Sequence, residues 1–176
     1  ERHNSSNGLM NDAVWAMCED YYGNLWCCLN NGISYVERNP SVYRWGEGQG
    51  LKGILQSIVM YQNKLFVVSS NGLFYQDQEV FRLFNDYENF GMDIIKIQEQ
   101  GDDILMLASS NGVFLVKNSS LVPLEAGVQA LQLEQHPKYP DIIYCALIDG
   151  LLLLKRENGK WVSKGRVPDV KGETRS

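Results

Sequence analysis

Asn30-Asn31-Gly32-Ile33 returns as Ser70-Asn71-Gly72-Leu73, as Ser110-Asn111-Gly112-Val113 and as Ile148-Asp149-Gly150-Leu151. Each tetrad sets a glycine behind Asn or Asp and ahead of an aliphatic residue, at separations of 40, 40 and 38 residues. A fixed period of this length marks a repeat architecture rather than a single irregular domain. The register extends outward from the glycine. Six residues before it stands a large side chain, Trp26, Phe66, Met106 or Tyr144, and just before that a turn: Tyr22-Gly23-Asn24, Gln62-Asn63-Lys64, Gly101-Asp102-Asp103 or Tyr139-Pro140-Asp141.

Between the turns lie short runs rich in β-branched and aromatic residues, the composition of strands. Four such runs fit each repeat. They are expected at residues 14–18, 25–29, 33–37 and 42–45; at 55–60, 65–69, 73–76 and 80–84; at 94–98, 104–108, 113–116 and 121–124; and at 128–133, 142–147, 151–155 and 161–163. Connections of two to nine residues suit antiparallel meanders. Four-stranded units of about forty residues in tandem predict an all-β fold, a β-propeller of four-stranded antiparallel blades. A sandwich or single barrel leaves the recurring turn unexplained. The Asn-Gly and Asp-Gly pairs are expected in tight hairpins, where Gly takes positive φ freely and Asn or Asp takes it at low cost. The large residue of each repeat is expected to pack between sheets.

The expected organisation is a linker over residues 1–7, blades over 8–46, 47–85, 86–125 and 126–164, and the start of a further blade over 165–176. About four blades of a larger propeller are therefore expected, and the chain reads as a segment of a longer protein. A small closed ring of four blades is the alternative.

The chain of 176 residues is long enough for a sizeable core. Apolar residues at 44% and charged residues at 21% exclude a disordered chain. The net charge of −5 argues against a nucleic-acid partner. No apolar run approaches the roughly 20 residues that span a bilayer. Cys18, Cys27, Cys28 and Cys145 form no Cys-x-x-Cys pair, and His3 and His136 stand apart, so no metal or other cofactor is expected. The cysteines sit in apolar runs and read as small buried hydrophobes.

No Ser-His-Asp set is present, and the carboxylates of Glu19-Asp20, Asp86, Glu88, Asp102-Asp103 and Asp149 are scattered among turns. Catalysis within these residues is not expected. If the first strand of each blade is innermost, loops joining strands two and three share a face with the inter-blade connections. That face would gather Asn30, Asn31, Asn71, Asn111 and Asp149 with Trp45, Glu47, Asp86, Tyr87 and Glu88. Rings beside amides and carboxylates suit sugar recognition. Asn30, Trp45, Asp86, Tyr87 and Asp149 are the expected ligand-binding residues.

Asp20-Tyr21-Tyr22-Gly23-Asn24-Leu25-Trp26, followed by Leu29-Asn30-Asn31-Gly32-Ile33, resembles the two-component regulator propeller repeat: Asp, two variable residues, Gly-Asn-Leu-Trp, a short strand, then Asn-Gly-Leu. Gly8-Leu9 and Gly50-Leu51 match that family's Gly-Leu before the inner strand. The other three repeats keep the glycine and the apolar register but not the Asp and Trp. The resemblance implies an extracytoplasmic, periplasmic sensor region of a bacterial histidine kinase or hybrid system. It implies a carbohydrate ligand, with the remaining blades and downstream signalling domains as partners, and is compatible with a homodimer. A protein-interaction scaffold and a carbohydrate-active enzyme fragment are the alternative readings.

Overall fold

The structure, a computed structural model, describes residues 9–37, 42–117, 119–170 and 172. The expected linker over 1–7 lies outside the described residues. Every expected strand forms, and the runs pair in chain order into four antiparallel sheets. The first holds β1 (Val14–Glu19), β2 (Leu25–Leu29), β3 (Gly32–Val36) and β4 (Val42–Trp45). The second holds β5 (Leu55–Tyr61), β6 (Lys64–Ser69), β7 (Gly72–Asp77) and β8 (Val80–Leu83). The third holds β9 (Gly91–Glu99), β10 (Asp102–Ser109), β11 (Gly112–Lys117) and β12 (Ser120–Ala126). The fourth holds β13 (Ala130–Gln135), β14 (Ile142–Leu147), β15 (Gly150–Glu157) and β16 (Lys160–Arg166). A single turn of 3-10 helix, Glu47–Gln49, interrupts the first inter-sheet connection. Among the described residues no helix is long and apolar enough to cross a membrane. The fold is all-β, and the sheets are four-stranded antiparallel blades of the propeller type.

The chain divides into two compact units, Glu1–Glu88 and Asn89–Ser176. In the first, Trp26, Cys28 and Ile33 of the first sheet meet Ile58, Leu65, Val67 and Phe74 of the second. In the other, Met106, Ala108 and Val113 of the third sheet meet Leu133, Ile143, Cys145 and Leu152 of the fourth. Strand pairing puts these residues at matching registers, so one interface is built twice. Each fully buried aliphatic or aromatic side chain contributes about 1.5–3 kcal/mol, against about 0–1 kcal/mol for an exposed ion pair such as Arg82–Asp77. Apolar packing between the sheets therefore dominates the stability of each unit.

The recurring glycine differs from expectation in one respect. Asn31, Asn71, Asn111 and Asp149 do not take positive φ; among these tetrads only the glycine does. The two-residue turns with both φ positive lie elsewhere, at Gln62-Asn63, Gln100-Gly101 and Asn158-Gly159. At Gly72 (φ 134°) and Gly112 (φ 139°), a Cβ would collide with the carbonyl oxygens of Tyr87 and Glu125. Close approach of the following chain, more than hairpin shape, selects glycine there. The preceding Asn is held by a buried serine: Asn71 N donates to Ser69 Oγ (3.0 Å) and Asn111 N to Ser109 Oγ (3.2 Å).

The Asp, Asn and Trp of the first repeat form one local device. Asp20 Oδ1 accepts from the backbone N–H groups of Tyr22 (2.9 Å) and Asn24 (3.0 Å), and Oδ2 from Asn24 Nδ2 (3.0 Å) and Trp26 Nε1 (3.3 Å). Partial burial pushes this carboxyl up, but the bonds from Asn24, Trp26 and Tyr22 outweigh it and hold it below its ordinary value of 3.8. The folded chain thus binds this proton less readily than the unfolded one. The stabilisation is complete above the unfolded value and is lost as pH falls through the folded one. Asp20→Ala is expected to cost about 1–2 kcal/mol at pH 7. Melting curves of both proteins between pH 7 and 2.5 should converge in acid, and a gap independent of pH would show that the carboxylate charge is irrelevant.

Candidate functional site

In both units the turn between second and third strands adjoins an inter-sheet connection. Ser70 N donates to Ile54 O (2.8 Å) in the first unit. Gly127 N donates to Asn111 O and Ile148 N to Gln129 O (both 3.1 Å) in the second. Antiparallel pairing in chain order forces this placement, because the last strand of one sheet and the second strand of the next both end at the same edge.

In the first unit these segments enclose a cleft of about 590 Å³. Asn30 and Asn31 come from the β2–β3 turn, Glu47, Gln49, Leu51 and Leu55 from the connection and the start of β5, and Ser70 from the β6–β7 turn. Met10 and Ile54 complete the apolar part of the lining. The 3-10 turn is fixed by Gly46 N donating to Gln49 Oε1 (2.9 Å) and by Gly50, at φ 94°, closing onto Glu47 O. Ser70 Oγ accepts from Ile54 N (2.9 Å) and bonds Asn71 Oδ1 (3.0 Å), which ties connection to turn. Ser70 also lines a second depression of about 530 Å³, with Lys52, Asn71 and Glu88 above Phe74, Phe81 and Leu83. Exposed amides, one carboxylate and a hydroxyl beside apolar side chains can hydrogen-bond a neutral polyhydroxyl molecule while its C–H faces lie on Ile54 and Met10.

Of the expected ligand-binding residues, Asn30 lines the first cleft, beside Asn31 and Glu47. Trp45 does not line it. Its half-buried indole packs in the inter-sheet contact, 5.0 Å from the Trp26 ring and 6.0 Å from Tyr35. Asp86 is exposed at φ 53° in the turn after β8, where Tyr87 N donates to Phe84 O (3.0 Å). Neither Asp86 nor Tyr87 lines these two depressions, whereas Glu88 lines the second. Asp149 belongs to the second unit and pairs with Arg166 (2.8 Å), whose hydrogen bond holds the Asp149 carboxyl below its ordinary value. Gln49, Lys52 and Ser70 escaped the sequence reading; the only signal was the glycine-rich stretch Gly46-Glu47-Gly48-Gln49-Gly50 in an unusually long connection.

Among the described residues no group of three or more His, Cys, Asp or Glu side chains is arranged to hold a metal ion. The cysteines are free thiols, three buried and Cys18 half-buried. Burial pushes Cys18 up to about 11 and Cys28 and Cys145 up to about 12, so at neutral pH they are protonated hydrophobes.

No protein-family model and no curated protein matches the chain. Solved structures do. The extracellular domain of a hybrid two-component system of B. thetaiotaomicron matches with a TM-score of 0.73 at 14% identity, over 96% of this chain and 26% of that one. The extracellular domain of a one-component system of B. thetaiotaomicron matches at 0.69 and 13%, over 90% and 24%. A catalytically inactive virginiamycin B lyase from Staphylococcus aureus, with quinupristin, matches at 0.64 and 9%, over 89% and 56%. This chain spans about a quarter of the length of the first two. At such identities the likeness speaks for architecture alone, and it agrees with the strand order: the four sheets are blades of a β-propeller.

Proposed function

We propose that the chain is a stretch of the extracytoplasmic sensory propeller of a bacterial two-component signalling protein. It reads a neutral oligosaccharide and passes the signal to an output module of the histidine kinase type, encoded outside these residues. The observation that carries the ligand reading is the first cleft, where Asn30, Asn31, Glu47 and Ser70 converge beside Ile54 and Met10. Likeness to extracellular domains of two signalling proteins supports the sensory role and the location. Glu47 is the one carboxylate among the lining residues, whereas glycoside hydrolysis ordinarily uses a pair, so binding is favoured over cleavage.

The test is calorimetric titration of the chain with tri- to hexasaccharides of glucose, mannose, xylose and arabinose. At least one series should bind without being consumed. Glu47→Ala should weaken that binding about tenfold, the loss of one hydrogen bond to a charged group. Silence across every series removes the oligosaccharide reading, and turnover of a bound sugar replaces the sensor with an enzyme.

A further inference from the structure

The first strands of the four sheets share an irregularity. Pairing slips between Val14 and Ala16 in β1, between Leu55 and Ser57 in β5, opposite Ala108 and Ser109 in β9, and between Ala130 and Gln132 in β13. Each strand thus carries one extra residue at the same register: Trp15, Gln56, Met92 and Leu131. A bulge of this kind lifts one side chain out of the in-out alternation and re-aims it.

Trp15 is 59% exposed, and Gln56, Met92 and Leu131 are all half-exposed. Their neighbours in the same strands, Leu55, Ile58, Ile94, Ala130 and Leu133, are no more than 6% exposed. In these three sheets the bulged residue is half-exposed beside a fully buried one, in strands that mix buried and half-exposed positions. In β1 the exposure is shared with Val14 (39%) and Met17 (62%), so Trp15 stands on an open stretch of strand and the bulge sets only its aim.

In the first unit the bulges lie at the ends of β1 and β5 nearest the turns that border the cleft. Leu55, part of the cleft lining, immediately precedes Gln56, and β5 lies beside β1. In the second unit the same register holds Met92 and Leu131, a thioether and an aliphatic chain that cannot read hydroxyl groups. The first unit pairs an indole with an amide. We propose that Trp15 and Gln56 extend the oligosaccharide site of the first unit beyond its cleft. The Trp15 indole is the platform for the C–H face of a pyranose ring, and the Gln56 amide reads that ring's hydroxyls. This rests on the cleft being a sugar site, and it puts the aromatic platform on the first strand rather than at Trp45.

The experiment repeats the titrations with Trp15→Ala, Trp15→Tyr and Gln56→Ala and follows tryptophan fluorescence with acrylamide as quencher. Trp26 and Trp161 are buried and Trp45 is half-buried, so Trp15 dominates the quenchable signal. Sugar that binds should shield that signal. Trp15→Ala should weaken binding about tenfold at an unchanged melting temperature, Trp15→Tyr should restore most of it, and Gln56→Ala should cost several-fold. A sugar that binds wild type and Trp15→Ala equally, or leaves quenching untouched, overturns this inference while leaving the cleft reading intact. If no sugar binds wild type, the cleft reading falls, and this extension with it.

Discussion

Gly72→Ala is expected to destabilise the chain by about 3 kcal/mol, from positive-φ strain and a backbone collision together. The φ of 134° lies where L side chains rarely go, and the new methyl group would run into the Tyr87 carbonyl oxygen and lie 2.8 Å from Leu83 Cδ1. To relieve this, the chain after β8 must move away. That motion strains the bonds from Leu73 N to Tyr87 O (3.4 Å) and from Phe84 N to Leu73 O (2.7 Å). Two other glycines separate the causes. Gly101, at φ 91°, has open space around it, so Gly101→Ala should show backbone strain alone, about 1 kcal/mol. Gly48 has open space and no positive φ, and its replacement should stay within about 0.5 kcal/mol. Urea unfolding followed by fluorescence measures all three. If Gly72→Ala is as mild as Gly101→Ala, the carbonyl contact does not select the glycine.

Loss of Glu99 should cost the second unit about as much. Its carboxylate is 8% exposed; Oε1 accepts from Trp161 N (3.2 Å), and Oε2 pairs with the Lys117 ammonium. Next to it, Gln98 O accepts from Trp161 Nε1 (2.9 Å) and Arg156 Nη1 (3.0 Å), so β9 is tied to β15 and β16 through adjacent residues. Glu99→Ala strands a partly buried ammonium and an N–H group together, for an expected loss of about 3 kcal/mol. Glu99→Gln keeps an acceptor for Trp161 and should lose about half that. Adding Lys117→Met to Glu99→Ala removes the stranded charge, so the double variant should be more stable than the two single losses sum to. Strict additivity in that cycle would mean the pair does not interact. The exposed Asp77–Arg82 pair is the comparison, and its removal should cost no more than about 1 kcal/mol.

The period of the glycine tetrads was enough to place every strand, because turn residues bound each run of β-branched and aromatic side chains. Strand edges moved by a residue or a few: β13 begins at Ala130 where the pattern suggested 128, since Val128 packs against the core from the connection. The bulges were illegible, because one extra residue inside an apolar run leaves its composition unchanged. So was the burial of Trp45, since an aromatic at the end of a fourth strand fits a rim or a contact equally well. Asn30 was legible because topology alone sends its turn to the connection edge. Gln49 and Ser70 were not, because their placement depends on the hydrogen bonds that shape the 3-10 turn and hold it to the next hairpin. The positive φ expected at Asn71 and Asn111 failed because serine Oγ groups hold those two turns in another form.

The doubled interface also bears on how such a chain can grow. The first and third sheets offer the same register of side chains, and the second and fourth receive them at another shared register. A gene that copies two successive repeats therefore copies a plug together with its socket. Later drift has only bulk and water-avoidance to respect, as the exchange of Trp26 for Met106 at one register illustrates. Lengthening by duplication is mechanically simple for this architecture, and ancestry can fade from the letters while the joint stays the same.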